Sequence, residues 1–187
     1  MISAEVRSIL APSIGTCLSA QVDTPPVPVR LGFEDLYMLE VPGLVAVATA
    51  LTGDRADGED LVQDTMVRAF IHWNRVARLE RPGAWCHRVL TNFCRSWWRR
   101  RRTEARYLAH LRRVEPSTGG PSPDVLAFWG AVRSLPTRPR QVVALHFAGD
   151  RTMAEIASIL DLPEGTVRSD IARARVVIQF HMGLDST

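Results

Sequence analysis

Arg88, Asn92, Arg95, Arg99 and Arg102 follow one another at steps of four, three, four and three residues. That spacing draws a single line along an α-helix, where positions three and four apart share a face. The line offers guanidinium forks and one amide. Guanidinium groups grip phosphates and base edges through paired hydrogen bonds. An amide can match the donor and acceptor of a base edge, which a purely phosphate-binding surface does not need. From Arg81 to Arg113 there are ten arginines and a single acid, Glu104. A solvated helix face ordinarily mixes signs, and a self-repelling row of one sign needs an anionic partner to offset it. The chemistry these residues suit is therefore recognition of nucleic acid, with arginine on phosphates and Asn92 on a base.

A second constellation lies near the C-terminus. Thr152 can cap a helix, and Glu155 three residues later completes a capping box. Met153, Ile156, Ala157 and Leu160 then supply a buried face. Asp161-Leu162-Pro163-Glu164 turns the chain, and Val167, Ile171, Ala174 and Ile178 form the buried face of the next helix. Small Ala157 lets the helices cross closely, and Leu162 can fill the corner. This is a helix-turn-helix pattern. Ser169, Ala172 and Arg173 point away from the buried face, with Thr166 and Arg168 near the N-terminal end that a recognition helix presents to base edges. A plain packed helical hairpin would share much of this pattern.

A third group is acidic. Asp54, Asp57, Glu59, Asp60 and Asp64 face one base, Arg55, over eleven residues at the start of a predicted helix. Acid at a helix N-terminus is favoured by the macrodipole, so the cluster alone does not separate a docking surface from a stabilised helix end. Catalytic groupings are missing: there is no phosphate-cradling glycine loop, no metal-ligand cluster and no nucleophile beside a base. The five histidines are scattered; His72, His87 and His110 suit surface or half-buried positions better than catalysis. No enzyme activity, cofactor or metal is expected.

The elements that must hold these groups are helices. Residues 1–30 lack sustained periodicity and close on Pro25, Pro26 and Pro28, which suggests a flexible extension. Helical periodicity runs through residues 31–111, broken at Thr52-Gly53-Asp54 and at Glu80-Arg81-Pro82-Gly83. Val41-Pro42-Gly43 suggests a further kink or break in the first helix. Leu61, Thr65 and Ala69 mark the core face of the acidic helix. Trp85, Cys86, Val89, Leu90, Phe93 and Trp97 mark that of the basic one, leaving Trp98 near the arginine stripe. Residues 112–123, rich in Pro, Ser and Gly, read as a linker. Residues 124–183 form a second helical block, with Thr137 able to cap its second helix. The expected fold is all-α: two small helical domains joined by a flexible linker.

Composition sets the outer limits. The 187 residues carry a net charge of +3 with 46% apolar and 23% charged residues, and the pI is about 9.1. All 23 basic residues are arginine, which suits nucleic acid and equally follows from a GC-rich genome. Three cysteines without CxxC spacing exclude a disulfide framework and a zinc site. No stretch reaches the ~18 apolar residues of a membrane span, Trp97-Trp98 is split between core and stripe, and the N-terminus makes a poor signal peptide. A reducing, cytoplasmic setting without membrane contact is expected.

Three stretches carry a family resemblance. They are Leu51-Thr52-Gly53-Asp54 with Glu59-Asp60-Leu61-Val62-Gln63-Asp64; Arg81-Pro82-Gly83-Ala84-Trp85 through Asn92 to Trp97-Trp98-Arg99-Arg100; and Leu135-Pro136 with Gly165-Thr166-Val167-Arg168-Ser169. In this order and spacing the chain resembles the extracytoplasmic-function family of bacterial RNA polymerase sigma factors, of the sigma-70 superfamily with regions 2 and 4 only. The resemblance implies a region 2-like domain in which Asp57, Asp60, Gln63 and Asp64 dock on core RNA polymerase, at the β′ clamp helices. Arg81, Arg88, Asn92, Arg95, Trp98, Arg99 and Arg102 would engage the −10 element, with a base flipped into a pocket nearby. It implies a region 4-like domain in which Arg151, Thr152, Thr166, Arg168, Ser169 and Arg173 engage the −35 element. Implied partners are core polymerase (β′ and β subunits), promoter DNA and an anti-sigma factor. Asp161 stands where the family usually has Gly, and Asp170 where a basic residue is common. The rival is a stand-alone helix-turn-helix regulator binding operator DNA as a dimer, which explains the second block but not the first.

Overall fold

The computed structural model describes residues 32–107 and 122–183. The extension over 1–30, most of the 112–123 linker, Cys17 and His110 lie outside the described residues. Among those described, every regular element is helical: α1 (Phe33–Thr52), α2 (Arg55–Ile71), the single turn α3 (Trp73–Val76), α4 (Pro82–Tyr107), α5 (Pro123–Ser134), α6 (Thr137–Phe147), α7 (Met153–Leu160) and α8 (Glu164–His181).

The first group forms because its apolar residues recur at helical spacing. Leu36, Leu44, Val47, Ala48 and Leu51 of α1 pack on Leu61, Val62, Met66 and Ala69 of α2 and on Cys86, Leu90 and Cys94 of α4. Gly53 ends α1 in the left-handed region at φ 86°, where only glycine sits without Cβ strain. Its N–H donates to Thr49 O at 2.8 Å. Asp54 then caps α2 by accepting from the Asp57 N–H at 3.0 Å, and Thr65, buried on the core face, donates its hydroxyl to Leu61 O at 2.8 Å.

Two expectations for α1 change. Pro42 does not break it: the helix runs unbroken through Pro42, whose ring lies on the exposed side, where water can reach the carbonyl left without its N–H donor. And α1 is, by length and composition alone, long and apolar enough to cross a membrane, contrary to the expectation that no stretch reaches that length. Its apolar side is nonetheless taken up by α2 and α4, as in the core helix of a bundle.

The second group closes around Phe128, Val142, Leu145, Ile156, Val167 and Ile178. The Thr152–Glu155 capping box forms as expected, with the Thr152 N–H donating to Glu155 at 2.8 Å. Asp161 adopts the left-handed turn at φ 57°, a conformation Asp tolerates better than most residues. Thr137 is the first residue of α6 rather than its cap. In α7 the fully buried residues are Ile156 and Ile159, while Met153, Ala157 and Leu160 are half-buried. The shift arises because α7 packs on α8 with one side and across α4 with another. The two helical groups are therefore docked, and their buried residues form one continuous apolar cluster.

Candidate nucleic-acid interface

The long helix α4 positions the basic stripe. Its inward side buries Cys86, His87, Leu90, Thr91 and Cys94, and burial pushes both thiols up to about 12. The opposite side exposes Arg88, Asn92, Arg95, Arg99 and Arg102, with Arg81 exposed just before the helix begins, so the stripe stands on one face with its amide among the guanidiniums. Arg101 is set apart: it lies over the Trp97 ring at 4.9 Å and pairs with Asp57 of α2 at 2.8 Å.

Trp98 is placed differently from its stripe neighbours. It is half-buried, its indole Nε1 donates to Leu51 O at 2.9 Å, and Arg140 of α6 lies over its ring at 4.3 Å. Arg140 is itself buried and donates to Arg133 O at 3.1 Å; burial lowers its pKa from the ordinary value. Trp98 thus spans the junction of the two groups.

On α2, Asp60, Gln63 and Asp64 are exposed along one side, with Val67 exposed one turn on. Asp57 is half-buried and held by Arg101, so it braces α2 against α4. Beside this face an open cavity of about 1670 Å³ runs between α1, α2 and α5, lined by Tyr37, Val45, Gln63, Met66, Phe70 and Trp129 among others.

In the helix-turn-helix, Arg168, Ser169 and Arg173 are exposed and Thr166 is half-buried. Arg168 pairs with Glu164 one turn back, and the Ser169 hydroxyl donates to Gly165 O at 2.8 Å. Asp170 points the other way. It is 1% exposed and accepts two hydrogen bonds from Arg138, from Nε at 2.7 Å and Nη2 at 3.1 Å. The question of a phosphate contact at position 170 therefore does not arise, because that position faces the domain's interior.

The docking of the two groups uses residues that sequence alone assigned to DNA. Arg88 donates from Nε to Ile159 O at 2.9 Å and from Nη2 to Ser158 O at 2.8 Å. Arg151 donates from Nη2 to Glu40 Oε2 at 2.7 Å and lies 2.9 Å from His87 Nε2. His87 Nε2 also faces Glu40 at 3.4 Å. His87 Nε2 therefore lies within reach of both the Arg151 guanidinium, which can only donate, and the Glu40 carboxylate. His87 is fully buried, deeper than its sequence context suggested. The neighbouring His87 and then the Arg151 charge hold the Glu40 carboxyl below its ordinary value despite its burial. Glu40 had a signal in the sequence: it falls between Leu36 and Leu44 at spacing four on the apolar side of α1, where an acid needs a buried partner. Its partner, more than a hundred residues away, had none. Among the described residues no group of three metal-ligating side chains converges.

The comparisons with known proteins agree with this geometry. The sigma-70 region 2 family model matches residues 36–104, and the sigma-70 region 4 model matches residues 126–177. A probable RNA polymerase sigma factor RfaY of Xanthomonas campestris is 30% identical over 152 residues, 73% of this chain but only 36% of that relative's length. An RNA polymerase sigma-E factor of Streptomyces antibioticus is 30% identical over 146 residues, 77% of this chain and 81% of the relative. An ECF RNA polymerase sigma factor EcfG of Rhodopseudomonas palustris is 28% identical, covering 80% and 84%. Among solved structures, the sigma factor RpoE in complex with the anti-sigma factor NepR from Bartonella quintana superposes with a TM-score of 0.66 at 27% identity. That match covers 82% of this chain and 98% of the other. CnrH in complex with the cytosolic domain of CnrY gives 0.59 at 26% identity, covering 82% and 89%. Two matched regions in their expected order, relatives aligned across both, and an all-helical fold shared with solved sigma factors place the conclusion at family level: the chain belongs to the extracytoplasmic-function group of sigma-70 family RNA polymerase sigma factors.

Proposed function

We propose that the chain binds core RNA polymerase and directs transcription initiation at promoters whose −10 and −35 elements it reads. The observation that carries this is the coexistence of three exposed and chemically distinct faces. One is the single-sign, Asn-bearing stripe of α4, one the outward face of α8, and one the acidic side of α2. A stand-alone operator-binding regulator needs the second and has no use for the other two. Asp60, Gln63 and Asp64 dock on the β′ clamp helices. Arg81, Arg88, Asn92, Arg95, Arg99 and Arg102 engage the −10 element. Thr166, Arg168, Ser169 and Arg173 enter the −35 major groove, with Arg151 and Thr152 on adjacent phosphates. Asp57 and Trp98 act from behind, bracing the faces. The protein catalyses nothing and works in the cytoplasm, where its polymerase is. The solved RpoE relative is a complex with the anti-sigma factor NepR, which supports a protein partner of that kind here.

The test is retention of purified core polymerase, followed by run-off transcription on genomic promoter fragments, for the wild type and for Asp60→Arg/Asp64→Arg. The wild type retains core and starts transcripts while the charge-reversed protein does neither. A wild type that ignores core but shifts duplex DNA alone would establish the stand-alone regulator instead.

A further inference from the structure

On α8, Asp170 lies one residue past Ser169 and three before Arg173. Helical geometry sets it on the flank between the outward line and the buried face. It is 1% exposed, yet two guanidiniums converge on it from the outside. Arg138, at the start of α6, binds it through Nε and Nη2 at 2.7 and 3.1 Å. Arg173 brings Nη1 to 3.9 Å from Asp170 Oδ1, the same oxygen that accepts from Arg138 Nη2. One buried carboxylate thus answers two cations, and a net positive charge is left at the edge of the reading face.

Much of both arginines stays open to water: the Arg138 side chain is 51% exposed and that of Arg173 is 72%. A guanidinium carries five N–H donors, and the pair with Asp170 engages only one edge of Arg138. Its Nη1 makes no hydrogen bond among the described residues. Paired charge-assisted bonds set the plane of a guanidinium as well as its place. The ordering cost that a free surface arginine meets on binding is here met largely in folding. Position 170, where the resemblance suggests a base, holds an acid turned inward, and a guanidinium beside the recognition helix comes from α6 instead.

We propose that Arg138 is a further DNA-binding residue, a phosphate contact at the edge of the −35 groove, and that Asp170 is the positioning residue that holds it there beside Arg173. The assignment to the −35 groove rests on the promoter-binding role proposed above. Phosphate contacts carry no sequence information but fix register and orientation on the duplex. Arg138 therefore sets how α8 sits in the groove, while Arg168, Ser169 and Arg173 read it.

Full-length wild type, the Arg138→Gln/Asp170→Asn double variant and Asp170→Asn alone would be compared across a salt series. Binding is read by anisotropy for the free chain on a mixed-sequence duplex, and with core polymerase on promoter fragments. The double variant keeps the net charge and leaves no carboxylate stranded in the interior, so its helical circular dichroism matches the wild type. It flattens the slope of log affinity against log salt by about one. A slope unchanged in both settings would overturn the Arg138 contact. Asp170→Asn keeps both arginines and removes a negative charge, so charge alone would tighten binding. Loss of the hold on Arg138 weakens it instead, by about threefold. Unchanged or tighter binding would overturn the positioning role of Asp170. A flattened slope in a chain that never retains core polymerase would defeat the proposed function while leaving Arg138 a DNA contact.

Discussion

Arg138, at the start of α6, closes both nitrogens of one guanidinium edge onto Asp170 of the recognition helix, at 2.7 and 3.1 Å. The two partners are unequal: Asp170 is 1% exposed by side chain and Arg138 is 51% exposed. Removing Asp170 returns an arginine to water, whereas removing Arg138 strands a carboxylate in the interior. Arg138→Ala is therefore expected to destabilise the protein more than Asp170→Ala, read as the shift in urea midpoint. Equal losses would mean that the ion pair is not what holds α8 to α6.

Trp98 contributes through its indole nitrogen as well as its ring. Trp98→Phe keeps an aromatic face beneath Arg140 but loses the bond to Leu51 O, at a cost of about 1 kcal/mol. Equilibrium denaturation measures this directly. A Phe variant as stable as the wild type would show that the hydrogen bond adds nothing net.

Cys86 and Cys94 should be inert. The thiolate is the reactive species, and burial raises both thiols to about 12. Iodoacetamide at pH 8 is expected to leave both unmodified in native protein and to alkylate both in urea, as read by peptide mass mapping. Rapid native alkylation would mean that α4 detaches readily from α1 and α2.

Asn92→Ala should relax discrimination at the −10 element more than it weakens binding. A lost bidentate amide–base contact removes about 1–3 kcal/mol of preference, while Arg95→Ala weakens all sequences alike and flattens the salt dependence of binding by the polymerase holoenzyme. A uniform loss across sequences in Asn92→Ala would argue against base reading.

Glu40 makes the docking of the two helical groups sensitive to acid. Its carboxyl is held below its ordinary 4.5, first by His87 and then by Arg151. A depressed acid contributes stability above its unfolded pKa and loses it as pH falls through the lower folded value. The stability that the Glu40–Arg151 contact contributes, read by urea denaturation, is accordingly constant near neutrality and falls below about pH 4.5, with Glu40→Gln showing less of this dependence.

Much was legible from pattern. Leu61, Thr65 and Ala69 of α2, and Val167, Ile171, Ala174 and Ile178 of α8, are buried as their spacing predicts, because a helix shows its core face through residues only three or four apart. The Thr152–Glu155 box and the left-handed Asp161 were readable for the same reason: both are local, decided within a few residues. The one-sided stripe of α4 could also be seen in advance, since helical geometry alone fixes which of its side chains share a face.

Pattern failed where a second neighbour intervened. Ile159 is buried although it lies off the expected core face of α7, because α4 covers a side of that helix which periodicity treats as open. Pro42 fits within α1 because its ring faces outward and the buried side of the helix carries the packing.

The amino-acid sequence by itself determined an all-helical chain with a basic, amide-bearing face, an acidic face and a helix-turn-helix, because each depends on residues close together along the chain. Which arginines are free to use those faces was decided only by the tertiary structure. Arg88 meets Ser158 and Ile159, and Arg151 meets Glu40, across 70, 71 and 111 residues. A long side chain carries no mark in its own neighbourhood of the carbonyl or carboxylate it will find once two apolar surfaces have brought distant helices together.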